Sequence, residues 1–277
     1  MSFLKKHFST IILVLVFITG LSLLLYPSLS DYWNSFHQSR AIVGYAEAVS
    51  RIDDVDYEKI WNAAVTYNEK LLSGGNRWFL NEKEQEEYDS LLNISGNSVM
   101  GSVEIPKINV SLPIYHGTDE GVLQVAVGHI AGSSLPVGGS GTHCVISGHR
   151  GLPSAKLFTN LDQMEKGDTF MLRVLDETLT YEVDQILIVE PDDISALDIE
   201  EGKDYCTLVT CTPYGVNTHR LLVRGHRIEN QKDASSVRVT ADAMQIDPVI
   251  VAPVVAAPML LILLIVLLIT TRKRGRK

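Results

Sequence analysis

Hydrophobic positions along this chain fall into three textures. Residues 9–27, STIILVLVFITGLSLLLYP, are almost wholly apolar, and so are residues 249–270, VIVAPVVAAPMLLILLIVLLIT. Each is long enough to cross a bilayer as a helix, the first near the lower limit. Between 31 and 72 apolar residues recur at helical spacing: Ile42, Tyr45, Ala46, Val49 and Ile52, then Ile60, Ala63, Ala64 and Tyr67. Asp53 and Asp54 predict a break and a cap between two helices. SGGN at 73–76 ends the second with glycines, and LNEKEQEEYDSLL at 80–92 predicts a short acidic helix. From residue 99 the pattern becomes short β-rich runs: VMGSVEIPKINVSLPIYHG, THCVISGHR, TFMLRVL, LTYEVDQILIVEP, DYCTLVTC and HRLLVRGHRI. Gly, Pro, Asn or Asp separate most of them, and GLPSAKLFTNLDQM interrupts them with a short helix or turn. A series of this kind suggests a closed or nearly closed barrel.

Charge gives the apolar runs a direction. Lys5 and Lys6 precede the first and RKRGRK follows the second at once, and basic flanks mark the cytoplasmic side. A cleaved signal peptide is the rival reading of 9–27, but SLSDYWNSF after it lacks a small-x-small cleavage site, which favours an uncleaved anchor. Pro253 and Pro258 predict a late start or a bend in the second span. The expected layout is therefore two-pass in the cell membrane, with both termini cytoplasmic and the middle outside the cell. Its parts are a stub at 1–8, the anchor at 9–27, helices at 28–72, a connecting segment at 73–98, the strand-rich domain at 99–230, a polar linker at 231–248, the second transmembrane helix at 249–270 and a basic tail at 271–277. The net charge of −9 gives no sign of broad nucleic-acid binding.

Cysteine is sparse, with three in 277 residues: Cys144, Cys206 and Cys211. An odd number outside the cell leaves at least one free or paired between chains, and reactivity is one reason to keep a free thiol. On a strand over 205–211, Thr207, Val209 and Cys211 share one face, and Cys206 points the other way as a small buried residue. TPYGVNTH then reverses the chain through Pro213, Gly215 and Asn217. If RLLVRGHRI pairs antiparallel with that strand, Cys211 leaves one strand where Arg220 enters the next. A fixed cation favours thiolate over thiol and can donate hydrogen bonds to an oxyanion.

A cysteine nucleophile also needs a proton carrier, usually histidine. His149 follows a strand and a small-residue break, where side chains reach a cleft from a rigid scaffold. His129, His143, His219 and His226 stay open as alternatives on residue reading alone. Zinc is disfavoured: His143, Cys144, His149, Cys206, Cys211 and His219 are suitable ligand types, but strand alternation scatters them and no C-x-x-C or H-x-x-x-H pattern occurs.

TLVTCTPYGVNTHRLLVRGHR and VISGHRGLPSAKLFTNLD, with VMGSVEIPKINVSLPIYHGT and GHIAGSSLPVGG, resemble the sortases, and within them the pilus-polymerising class C enzymes, from about residue 40 to 230. The resemblance implies a mainly β fold: a closed eight-stranded sortase barrel with N-terminal helices and a lid, flanked by two transmembrane helices. It implies Cys211 as nucleophile, His149 as general acid and base, and Arg220 as oxyanion and substrate stabiliser. The implied reaction is transpeptidation of an LPxTG-like sorting signal between Thr and Gly, with a pilin lysine as acceptor and no cofactor or metal. The partners implied are pilin subunits and the lipid bilayer.

Class C lids carry an Asp-Pro-aromatic motif. The matching stretch here makes 73–98 the candidate lid segment and places Asn76, Arg77 and Trp78, so the aromatic is kept while the acid and the proline are not. That predicts a Trp78 shield over Cys211, loosely held because Asn76 cannot pair with an arginine. The bland reading is a Trp78 that merely packs a loop onto the barrel. Three other functions compete: attachment of surface proteins to a peptidoglycan amine, thiol proteolysis, and a membrane-held pilus-assembly scaffold without catalysis. The second span and the lid-like segment oppose the first, and the intact Cys211, His149 and Arg220 oppose the last.

Overall fold

The computed structural model describes residues 2–73 and 77–230, with Leu260, Leu261 and Ile265. The expected linker, the second span apart from those three positions, the basic tail and Asn76 of the lid motif lie outside the described residues. The described residues divide into two compact units, one ending at Trp33 and the other beginning at Asn34.

Helix α1 covers Ser2–Val49. It joins the expected anchor at 9–27 to the first of the expected helices without a break at Pro27. A proline removes one intrahelical hydrogen bond, and no glycine follows until Gly44, so the helix resumes. Among the described residues one stretch, Ile11–Val49, is helical, long and apolar enough to cross a membrane. A second transmembrane helix therefore remains a sequence expectation.

In the second unit the break at Asp53 is present: its carboxylate accepts from the Asp56 N–H at 2.8 Å, and α2 runs Asp54–Ser73. Helix α3, Glu82–Ser90, opens on a capping box. Asn81 accepts from the Glu84 N–H, and the Glu84 carboxylate accepts from the Asn81 N–H. Its Tyr88 is fully buried.

Eight strands follow: β1 Val99–Ile105, β2 Val110–His116, β3 Val127–His129, β4 Thr142–Ser147, β5 Thr169–Val174, β6 Glu177–Val189, β7 Asp204–Thr212 and β8 His219–Ile228. They close into a barrel in the order β1-β2-β3-β4-β7-β8-β6-β5. Two neighbouring pairs are parallel, β2 with β3 and β4 with β7. Parallel neighbours need a crossover. The one from β4 to β7 contains β5 and β6, which brings residues near 148 beside residues near 210. The barrel interior is filled by Val103, Ile114, Ile146, Phe170, Tyr181 and Leu208, among others. The helices of this unit are tied to it by polar contacts. The Tyr45 hydroxyl donates to the Met100 carbonyl and accepts from the Leu175 N–H, both at 2.9 Å. Asn68 accepts from the Leu135 N–H at 2.7 Å and donates to its carbonyl at 3.1 Å.

Candidate active site

Side chains alternate along β7, so Cys206 and Leu208 enter the interior while Val209 joins a separate cluster on the outer face. That outer cluster holds Val145 from β4, Val209 from β7, Leu222 from β8 and Leu197 from the β6–β7 loop. Cys211 lies two residues past Val209 and shares its face. β7 and β8 pair antiparallel with Cys211 opposite Arg220, and Val209 is opposite Leu222. The thiol and the guanidinium therefore sit at the edge of an apolar floor, both half-buried. Arg220 Nη1 donates to the carbonyls of His219 at 3.1 Å and Asn217 at 3.4 Å. Among the described residues no carboxylate is within ion-pair reach of it, so the rest of the fork is open to a developing oxyanion. The neighbouring Glu190 carboxylate is engaged instead by His219, at 3.2 Å.

The segment carrying His149 runs beside the same strand: β4 ends at Ser147 opposite Val209, and the Gly148 N–H donates to the Val209 carbonyl at 3.0 Å, two residues before Cys211 in β7. Of the alternatives, His219 lies beside Arg220 and engages Glu190, while His129, His143 and His226 lie elsewhere. His129 is fully buried, with Nδ1 2.9 Å from the Tyr88 hydroxyl and Nε2 2.8 Å from the Ser134 carbonyl. His143 is also fully buried, with Nδ1 2.8 Å from the Asp198 carbonyl and Nε2 2.7 Å from the Thr207 hydroxyl. Burial pushes His143 down to about 4, so it is neutral at physiological pH. His226 lies at the far end of β8, opposite Tyr205. Cys144 and Cys206 are buried cross-strand neighbours, and burial pushes the Cys206 thiol well above its ordinary range. Cys211 is the one cysteine of the three that is not buried.

The lid-like segment lies on this outer face. Trp78 packs against the Val145–Leu197–Val209–Leu222 cluster. The Arg77 guanidinium stacks 4.4 Å over the Trp78 ring and donates to the Leu197 carbonyl at 2.9 Å, with Asp198 Oδ1 at 3.4 Å. Its side chain is 9% exposed. The backbone at Arg77 approaches Gly132 so closely that a Cβ there would stand 2.1 Å from the Arg77 carbonyl oxygen. Arg77 thus ties the segment to the β6–β7 loop, while Asn76, on which the expected loose hold rests, lies outside the described residues. In the sequence Arg77 stands only where a proline is usual, and nothing marks Asp198 as its partner.

The sortase domain model matches residues 103–228. Sortase C1 from Streptococcus agalactiae is 54% identical to the chain, which covers all of that structure (100%) with 69% of its own length, at a TM-score of 0.68. A sortase C structure from Clostridium perfringens, solved with the C-terminal cell wall sorting motif, is 43% identical, with 69% of this chain and 100% of that one covered and a TM-score of 0.62. Sortase D of Bacillus subtilis is 36% identical over 131 residues, 46% of this chain and 63% of that protein. Sortase A of Streptococcus agalactiae is 30% identical over 149 residues, 48% of this chain and 60% of the relative. The chain thus spans under two thirds of the length of these two curated relatives. The closed barrel and a full-length match to a solved sortase at 54% identity agree that the chain belongs to the sortase family of cysteine transpeptidases, with class C sortases among its structural neighbours.

Proposed function

We propose that the chain is a membrane-anchored class C sortase that joins pilin subunits. Cys211 is the nucleophile, His149 the general acid and base, and Arg220 the oxyanion stabiliser. The observation that supports this reading is the β7–β8 register that pairs Cys211 with Arg220, beside a β4 that ends two residues before His149 opposite Val209. The Cys211 thiolate attacks the Thr carbonyl carbon of an LPxTG-like signal. A C–S bond forms, the Thr–Gly C–N bond breaks, and His149 gives the leaving glycine amine its proton. Arg220 donates to the oxyanion of the tetrahedral intermediate. A pilin lysine amine then attacks the thioester, His149 takes its proton, and Cys211 leaves as thiolate. Similarity to a sortase C solved with a sorting motif supports this choice of substrate. In the resting state Trp78, held by Arg77, covers the apolar floor beside Cys211, and the signal must displace it. Two transmembrane helices hold the enzyme with both termini cytoplasmic.

The test uses the full chain in detergent micelles with an LPxTG-type peptide, alone and with a pilin domain bearing a candidate lysine. Intact mass is expected to show an acyl adduct that passes to the lysine and is absent in Cys211→Ala. Hydrolysis without transfer in the presence of the pilin domain would point to a protease. Transfer only to a peptidoglycan amine would point to cell-wall attachment.

A further inference from the structure

The backbone ladder between β4 and β7 stops at Ser147, and His149 lies beyond it. One backbone bond and two side-chain bonds link the segment to β7 past that point. The Gly148 N–H donates to the Val209 carbonyl at 3.0 Å. The Thr210 hydroxyl donates to the Gly148 carbonyl at 2.7 Å. Arg150 Nη1 donates to the Thr212 hydroxyl at 3.2 Å. The two threonines flanking Cys211 thus hold the two residues flanking His149. Thr210 and Thr212 are buried and alternate with Cys211, so they take the opposite face and leave that of Cys211 clear. On the far side the Phe158 N–H donates to the His149 carbonyl at 3.1 Å.

Arg150 is itself fixed. It is 8% exposed, pairs through Nη2 with Asp162, and lies 5.8 Å from the centre of the Tyr214 ring. Resting on the functional reading above, we propose that Arg150, Thr210 and Thr212 form a clamp that sets His149 in register with Cys211, making Arg150 and Thr212 positioning residues for proton transfer. None of the three needs to touch substrate. The imidazole must meet both the thiol and the leaving amine within hydrogen-bond distance. A displacement of about 1 Å in such a site can cost about a hundredfold in rate. Without the clamp, residues 148–150 would be a loop with no strand partner beyond Val209.

Thr212 gives the cleanest test, because valine has nearly the shape of threonine and removes only the hydroxyl that meets Arg150, beside a cavity of about 670 Å³ shared with Arg150 and Tyr214. With the full chain in detergent and an LPxTG-type peptide, acyl-adduct accumulation gives kcat and KM for the first half-reaction. Thr212→Val is expected to lower kcat about tenfold with KM within about twofold of the parent, and Thr212→Ser to recover most of the loss. Arg150→Gln should follow Thr212→Val, and Arg150→Lys should fall between. A kcat at the parent level in Thr212→Val, or a change confined to KM or thermal stability, overturns the clamp. No adduct in the parent chain, or an adduct that survives Cys211→Ala, sinks the transpeptidase reading and the clamp with it. An adduct in the parent with indifferent clamp variants sinks the clamp alone.

Discussion

His143 shows how much a single buried side chain decides in this fold. It spans the Thr207 hydroxyl and the Asp198 carbonyl, and so pins the β6–β7 loop to β7 on the face that carries Cys211. Burial holds it down to about 4, whereas in the unfolded chain it returns to the ordinary histidine value of about 6.5. Between those values the unfolded state binds more protons, so stability rises with pH across the window and is lost as pH falls through it. The contribution at stake is up to about 3 kcal/mol. Burial lowers His116 as well, in the same direction. His143→Gln is expected to flatten the slope of unfolding free energy between about pH 6.5 and 4, read by denaturant titration; parallel slopes in parent and variant would remove this account. The pairing of Cys211 with Arg220 was legible in sequence, because parity and an antiparallel hairpin suffice for it. The choice among the histidines was not legible, because His143 and His149 differ in burial rather than in local pattern. Arg150 carried no signal at all, since its partner Thr212 is 62 positions away.

The latch between the lid-like segment and the β6–β7 loop belongs to the scale of elements. Trp78 lies on the outer cluster, and Arg77 holds it there through one carbonyl, one carboxylate and the indole face. Removing Arg77 forfeits a charged hydrogen bond and a cation–π contact, together about 2 to 4 kcal/mol. If the segment shields the thiol, Arg77→Ala and Trp78→Ala should each speed alkylation of Cys211 by iodoacetamide by at least about tenfold, counted by intact mass. Equal rates in parent and variants would leave Trp78 as packing only. Trp78 stood out in the sequence as an aromatic, whereas its anchor did not, because Asp198 sits in a loop with no periodicity of its own. The same limit hid β3. Val127–His129 is three residues long, too short for alternation to register, and its place is set by parallel pairing with β2. The longer strands and the Asp53 break follow from patterns that local physics enforces, and these were readable.

At the scale of the whole molecule, one sheet serves two faces, a packed interior and an outer floor where chemistry is expected. Cys144, Cys206 and Gly225 are successive cross-strand partners on β4, β7 and β8. Opposite them Phe170 and Tyr181 stack with ring centres 5.5 Å apart, both fully buried. A row of small residues thus receives two large rings, which gives Cys144 and Cys206 a volume role and needs no reactivity from either. Strand order across the closed barrel cannot be read from local pattern, so this complementarity was invisible in sequence. It can be tested at Gly225, where a Cβ would meet Phe170 Cε1 at 2.8 Å and Tyr181 Cβ at 2.9 Å. Overpacking of this kind costs about 1–3 kcal/mol. For a domain of this size that lowers Tm by about 2 to 10 °C. Gly225 and Arg220 lie on one strand, but Arg220 is on the opposite face and at the other end, opposite Cys211. Gly225→Ala should therefore lower Tm while leaving kcat for acyl-adduct formation, per folded molecule well below Tm, within about twofold of the parent. An unchanged Tm would mean the rings shift aside at no cost. A fall in kcat with Tm intact would mean that interior strain reaches the outer face, and that the closed sheet does not insulate the site from its own core.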